Sequence, residues 1–216
     1  KDIFTHNLPK QELRHTVETN VDPLRQLNIP IKHKKVEVFW SKGDERLMQK
    51  ELANINEFIH IHPVSHWLFK CIANSTMAKI IDFCELELKI KVVITSSTEK
   101  FELEKTREIL DLCESKPINL SGKLSLKQAA ALNEKAKLFI GVDTAIMHVS
   151  ASNNVPVFAF FGPSGADQWG PWDNDLMESG YTKRNGFQTM GRHRVFAESR
   201  GCQPCGQDGC DGTKVS

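Results

Sequence analysis

The stretch KLFIGVDTAIMHVSASNNVPVFAFFGP, Lys137–Pro163, constrains the fold more than any other part of the chain. It opens with a short apolar run, Leu138–Val142, that lacks a helical period and carries β-branched residues, the pattern of a strand buried on both faces. The run breaks at Asp143-Thr144, a pair suited to capping a helix, and Ala145–Ser152 then places apolar residues at helical spacing. A second buried strand, Val155–Phe161, follows and stops at Gly162-Pro163. Strand, tight turn, short helix and strand make half of a doubly wound α/β sheet. Ligands of such sheets sit outside the carboxyl ends of the strands, where Asp143 and Thr144 lie. The backbone N–H groups of Thr144 and Ala145 point out of the helix start, where free donors and helix dipole favour an anion, and small Ala145 lets a ligand approach. The bland alternative makes Asp143 a plain N-cap, worth about 1 kcal/mol, and His148 a satisfied, partly buried histidine.

The flanking sequence repeats the alternation. FIHIH (residues 58–62) reads as a strand ending at Pro63, followed by the loop Val64–Lys70 and a helix from about Ile72 to Leu88, irregular near its start. VVIT (92–95) is a second strand, SSTEK a polar loop with Glu99 in the first turn of a helix that runs through Phe101 to Cys113, and INLSG a short strand and turn. LSLKQAAALNEKA (124–136) is a helix with Ser125 as its N-cap. Strands alternating with helices of about 10–15 residues imply a Rossmann-like parallel sheet with flanking helices and right-handed crossovers.

The first 56 residues lack this alternation. KQELRHTVETNVDPLRQLNI suggests one helix with Leu13, Val17, Leu24 and Leu27 as its apolar residues, interrupted at Pro23; VEVFW (36–40) suggests a short strand and SKGDER a turn. Alone this segment could not bury its apolar residues, so it reads as the tail of a preceding domain plus a connection. Beyond Gly162 the composition is that of a loop, PSGADQWGPWDNDLMESGYTKRNG, whose Trp169 and Trp172 either shape a pocket or plug the end of the sheet.

Formal net charge is +1 over 216 residues, and this balance argues against a nucleic-acid partner. No apolar run approaches the roughly 20 residues of a membrane helix. Neither a GxGxxG fingerprint nor a P-loop is present, nor a GxSxG elbow or an HExxH pair. His60 and His62, at i and i+2 on one strand face, could hold a metal, although such a pair is more often structural. Cys71, Cys84 and Cys113 read as reduced buried thiols. Cys202-Gln-Pro-Cys205 followed by Cys210 contains a CxxC for which His193 is the nearest fourth zinc ligand, with plain thiols preferred over a metal site or a disulfide.

Three loops converge at one sheet edge, each following a parallel strand. The first supplies Ser65, His66 and Lys70; the second Ser96, Ser97, Glu99 and Glu102; the third Asp143, Thr144 and His148. A lysine, hydroxyls and exposed amides suit a diphosphate, and a carboxylate suits ribose or sugar hydroxyls, so the set fits a nucleotide-diphosphate ligand.

FIGVDTAIMHVSASNNVPVFAFFGPSGADQWGPW resembles the signature of the bacterial lipopolysaccharide core heptosyltransferases, glycosyltransferase family nine. HPVSHWLFK resembles the loop carrying that family's phosphate-binding lysine, and SGKLSLKQAAALNEKAKLFIGVD matches the helix and strand before the signature. The tail CQPCGQDGCDGTKVS looks like the heptosyltransferase III branch. The resemblance implies the C-terminal half of a two-domain GT-B fold, with residues 1–56 as the tail of an N-terminal acceptor domain and 57–216 as the nucleotide-sugar-binding domain. It implies an ADP-L-glycero-D-manno-heptose donor, a lipid A–core oligosaccharide acceptor, inverting transfer, no cofactor and no metal. A cytoplasmic site peripheral to the inner membrane of a Gram-negative bacterium follows from the same likeness. By position, Lys70 and Asp143 become the catalytic pair, Lys70 at the donor phosphates with Ser65 near them and Asp143 at the heptose. Thr144 and Ala145 offer amides to the diphosphate beside His148, and Leu124 lines the adenine pocket. Glu99 or Glu102 binds ribose, with Ser97 in the same loop. Ala145 keeps the small size usual after the Asp-Thr pair, whereas His66 stands where an arginine is common. The family's catalytic base lies in its N-terminal domain, so the chain by itself is expected to bind the donor weakly and to transfer nothing. The alternative is a nucleotide-binding module, or a relative using another nucleotide sugar.

Overall fold

A computed structural model describes residues 8, 14–52, 55 and 57–214. The expected apolar position Leu13 lies outside the described residues. Among them the strands form one seven-stranded sheet in the order β3-β2-β1-β4-β5-β7-β6. The strands are β1 (Phe58–His62), β2 (Lys91–Ile94), β3 (Ile118–Asn119), β4 (Leu138–Val142), β5 (Val157–Phe161), β6 (Phe187–Met190) and β7 (His193–Ala197). All pairings are parallel except β6 with β7. The central strands are buried on both faces because helices cover both sides: every residue of β1 is buried, its two histidines included.

One face carries α3 (Lys42–Glu51), α6 (Leu126–Asn133) and α7 (Ala145–Ser152), with Met48, Phe58, Leu132, Phe139 and Met147 among its core side chains. The other carries α4 (Asn74–Asp82) and α5 (Lys100–Asp111), with Ile59, Ile61, Met77, Ile81 and Ile109 packed beneath. Between β1 and β4 the backbones approach closely. A Cβ on Gly141 would lie 2.7 Å from the His62 carbonyl oxygen, so only glycine fits this register. Ser125 caps α6 through a reciprocal capping box with Gln128, as its position predicts.

Four expectations are corrected. Residues 36–40 form no strand: the Asn174 side chain pairs with both backbone groups of Val36, taking the N–H at 2.8 Å and donating to the C=O at 3.0 Å in place of a ladder. SKGDER is the start of α3 and no turn, because Ser41 and Asp44 close a capping box. The expected single helix interrupted at Pro23 is two five-residue helices, α1 (Thr16–Asn20) and α2 (Asp22–Gln26), parted at Val21 with the proline in the first turn of the second, where its missing N–H costs nothing. The irregularity placed at the start of α4 lies at its end, where Phe83–Glu87 widens to a π-helical turn.

The region beyond Gly162 also holds the short helix α8 (Ala166–Trp169) and the β6–β7 hairpin, turned by Gly191-Arg192 with Gly191 at φ 52°. The N-terminal segment is packed onto this region. His15 is buried, its Nδ1 accepts the Val17 N–H, and its Nε2–H therefore donates to the Gly170 carbonyl at 2.8 Å.

Candidate donor site

Chain order places β1 between β2 and β4, so successive crossovers leave in opposite directions from the β1/β4 boundary. That is the topological switch point of a doubly wound sheet, where a crevice opens above the strand ends. A cleft of about 1450 Å³ lies there. The loop after β1 turns back through a 3-10 turn, Leu68–Lys70, anchored by buried Phe69, and presents Lys70 to the cleft. The loop after β4 presents Asp143. The two side chains meet: Lys70 Nζ donates to Asp143 Oδ2 at 2.6 Å. Ser164, just past β5, donates its hydroxyl to the same oxygen at 2.6 Å. Three consecutive strand ends of the sheet thus converge on one carboxylate oxygen.

Thr144 is the N-cap of α7, but its hydroxyl caps nothing. Its Oγ1 is buried with no partner among the described residues, although Thr144 lines the cleft. The first amides of a helix have no acceptor within it, so this end offers both amides and an unused hydroxyl. His148 stands one turn further on in the cleft wall. Burial lowers its pKa, Lys70 adds to that effect, and Asp143 opposes it.

Ser65, His66, Ser97, Glu102, Leu124 and Ala145 also line the cleft. Ser65 is buried and its hydroxyl accepts the Trp67 N–H at 3.2 Å. His66 is exposed, edge-on to Trp67 and Phe101. Glu102 is buried and accepts the Ser97 N–H at 3.1 Å. Glu99 is brought elsewhere: it is the exposed N-cap of α5 and is absent from the cleft lining. The two tryptophans divide the roles open to them. Trp169 lines the cleft, whereas Trp172 is core, its ring 4.8 Å from that of His15.

Sequence reasoning missed Ser164, Arg184 and the wall built by Pro204–Asp208. The rule that loops after parallel strands face the ligand would have found Ser164. The tail has no such signal; it is held by the Gly206 N–H donating to the Pro163 carbonyl at 2.9 Å. Cys202, Cys205 and Cys210 are exposed and unbridged, whereas His193 is wholly buried in β7. Among the described residues no group of three His, Cys, Asp or Glu is arranged to hold a metal ion. His60 and His62 instead share the Thr95 hydroxyl, at 2.7 and 2.9 Å.

Residues 2–196 match glycosyltransferase family 9 (heptosyltransferase). The chain is 31% identical over 179 residues to a lipopolysaccharide heptosyltransferase 3 of Escherichia coli, a match covering 81% of this chain and 52% of that protein. A shorter match, 33% over 85 residues, is to the lipopolysaccharide core heptosyltransferase OpsX of Haemophilus influenzae, covering 39% of this chain and 24% of that protein. The chain spans about half the length of the lipopolysaccharide heptosyltransferase 3 relatives it matches. Among solved structures, a family 9 glycosyl transferase from Veillonella parvula superposes with TM-score 0.70 at 24% identity, over 77% of this chain and 49% of that one. Escherichia coli heptosyltransferase WaaC with ADP gives 0.58 at 18%, over 80% and 51%. Both show the fold, that of one half of a GT-B glycosyltransferase.

Proposed function

We propose a function from one premise: the chain belongs to glycosyltransferase family 9. It is the donor-binding half of an inverting heptosyltransferase that takes heptose from ADP-L-glycero-D-manno-heptose to the lipopolysaccharide inner core. The observation that carries this reading is the Lys70–Asp143 pair at the switch point, beside the open start of α7. As the glycosidic bond breaks, negative charge grows on the diphosphate. Lys70 and the Thr144 and Ala145 amides are pre-positioned to neutralise it, which lowers the barrier without reorganisation. Asp143 accepts heptose hydroxyls in this reading, which its fixed position under Lys70 and Ser164 supports.

The nucleoside extends across the sheet toward β2. Glu102 takes the ribose hydroxyls, since it lines the cleft and Glu99 does not. Leu124 with Leu126 and Ala129 forms an apolar slot for adenine. Ser65 and His148 complete the diphosphate surroundings. ADP as the nucleotide is supported by the solved relative that holds it.

The acceptor is the lipid A–core oligosaccharide, and the protein works in the cytoplasm against the inner membrane surface of a Gram-negative bacterium; the relatives' lipopolysaccharide activities support this. No helix among the described residues is long and apolar enough to cross a membrane.

The test is calorimetric titration with ADP, UDP and NAD in parallel. Selective ADP binding is expected. Selective UDP binding would retain the glycosyltransferase and remove heptose as the donor sugar.

A further inference from the structure

β1 carries two histidines on one face, and only the second reaches the cleft. His60 and His62 are two residues apart, so both point toward the α6/α7 side of the sheet. His60 is wholly buried, its ring edge-on to Phe139. A directional chain of hydrogen bonds joins it to His62. The Asn153 amide donates to Asn133 Oδ1 at 3.3 Å, which fixes the orientation of the Asn133 amide. One Asn133 N–H goes to Ser150 Oγ at 2.7 Å, whose own proton goes to the Ile146 carbonyl at 2.8 Å. The other Asn133 N–H goes to His60 Nδ1 at 3.0 Å.

With Nδ1 accepting, neutral His60 carries its proton on Nε2 and donates it to Thr95 Oγ1 at 2.7 Å. The Thr95 hydroxyl proton has no other acceptor among the described residues, so it goes to His62 Nδ1, at 2.9 Å. That leaves the single proton of neutral His62 on Nε2. Burial keeps both rings neutral, with pKa values pushed down to about 3 for His60 and about 4 for His62.

Each ring nitrogen and hydroxyl along this chain has a partner up to its last member. That last member, His62, lines the cleft, its Nε2 without a partner among the described residues. We infer that His62 is a ligand-contacting residue, its Nε2–H held by the Asn133–His60–Thr95 chain as a fixed neutral donor to an oxygen of the bound nucleoside diphosphate. Thr95 is the positioning residue. A neutral donor suits this place because Lys70 and the α7 amides already supply the positive charge. The inference rests on the donor-site reading above.

The test is long-range proton–nitrogen NMR on protein labelled with nitrogen-15 histidine, titrated with ADP. Both rings are expected as Nε2–H tautomers, with saturating ADP shifting the His62 Nε2 resonance and leaving His60 unmoved. Thr95→Val is expected to release the His62 tautomer and to weaken ADP binding about three- to tenfold, the loss of one well-placed hydrogen bond. An Nδ1–H tautomer at His62, or an unmoved His62 Nε2 with ADP demonstrably bound, overturns the inference and leaves the donor site standing. Absence of any ADP binding overturns the donor-site reading itself, and this inference with it. Should Thr95→Val fail to fold, the tautomer and the ADP shift of the unsubstituted protein still decide.

Discussion

Lys70 and Asp143 are 73 positions apart in sequence, yet Nζ lies 2.6 Å from Oδ2, and the pair joins the loops after the two strands that flank the switch point. Only the sheet order brings them together. Lys70 is the more exposed partner, at 21% against 8% for Asp143, so it can turn to a ligand while the carboxylate stays fixed. Lys70→Ala is expected to weaken ADP binding tenfold or more, since a charge-assisted contact contributes about 1.5–3 kcal/mol. Titration calorimetry checks it, and an unchanged affinity would remove Lys70 from the phosphate site.

Asp143→Ala acts differently because it strips two donors of their acceptor. Lys70 and Ser164 both point at Oδ2, and the cost is expected to be about 1–3 kcal/mol of stability. Thermal unfolding should register a lower midpoint. Asp143→Asn keeps an oxygen for Ser164 and should recover part of the loss; equal midpoints for the two variants would argue against the shared-acceptor geometry.

Glu102 and Glu99 differ in position: Glu102 lines the cleft and Glu99 does not. Glu102→Ala should lower ADP affinity by about tenfold, whereas Glu99→Ala, at an exposed helix cap, should leave it within about twofold. Equal effects in the two variants would sink the assignment.

Gly141→Ala places a methyl 2.7 Å from the His62 carbonyl oxygen and 2.8 Å from the Phe139 ring. The β1–β4 ladder must part to admit it, at a cost of about 1–3 kcal/mol or more. A urea midpoint equal to that of the parent would show that the strands are not so close.

Acid should destabilise the fold through its buried histidines. His60, His62 and His193 have pKa values depressed from 6.5 to about 3, about 4 and about 4, in each case chiefly by burial. The unfolded chain therefore binds protons that the folded one refuses. Their contribution is complete above pH 6.5 and is lost as pH falls through 6.5 toward 4 and 3. At pH 5 each costs on the order of 2 kcal/mol, from roughly 1.5 pH units at about 1.36 kcal/mol per unit. Urea midpoints at pH 7.5 and pH 5 test this, and equal values would contradict the burial of these rings.

How far the chain could be read from its residues varied by element. β4 and α7 have the bounds expected from Leu138–Val142 and Ala145–Ser152, because a buried apolar run and a stretch of apolar residues at helical spacing each announce themselves locally. The β6–β7 hairpin does not. It buries Gln188 and His193 and exposes Phe187 and Phe196, inverting the polarity by which a strand is recognised, and so the preceding loop composition was all that could be read. Val36–Trp40 misled in the opposite sense: its composition suits a strand, but the partner that took the Val36 backbone was the side chain of Asn174, 138 residues away.

The sequence alone determined what depends on neighbours along the chain: the alternation of strands and helices from β1 to β5, the Ser125 cap of α6, the apolar faces, and the segments following strands in which Lys70, Asp143 and Thr144 would stand. The tertiary structure decided what depends on partners far away. It put Glu102 in the cleft wall and Glu99 outside it, added Ser164 to Asp143, and put Trp169 at the cleft and Trp172 in the core. It also turned His60 and His62 from a possible metal pair into a chain through Thr95. The physical reason is directionality. Burial and propensity are properties a residue carries with it, whereas a hydrogen bond needs a second group at about 3 Å and at the right angle, which only the packed sheet supplies.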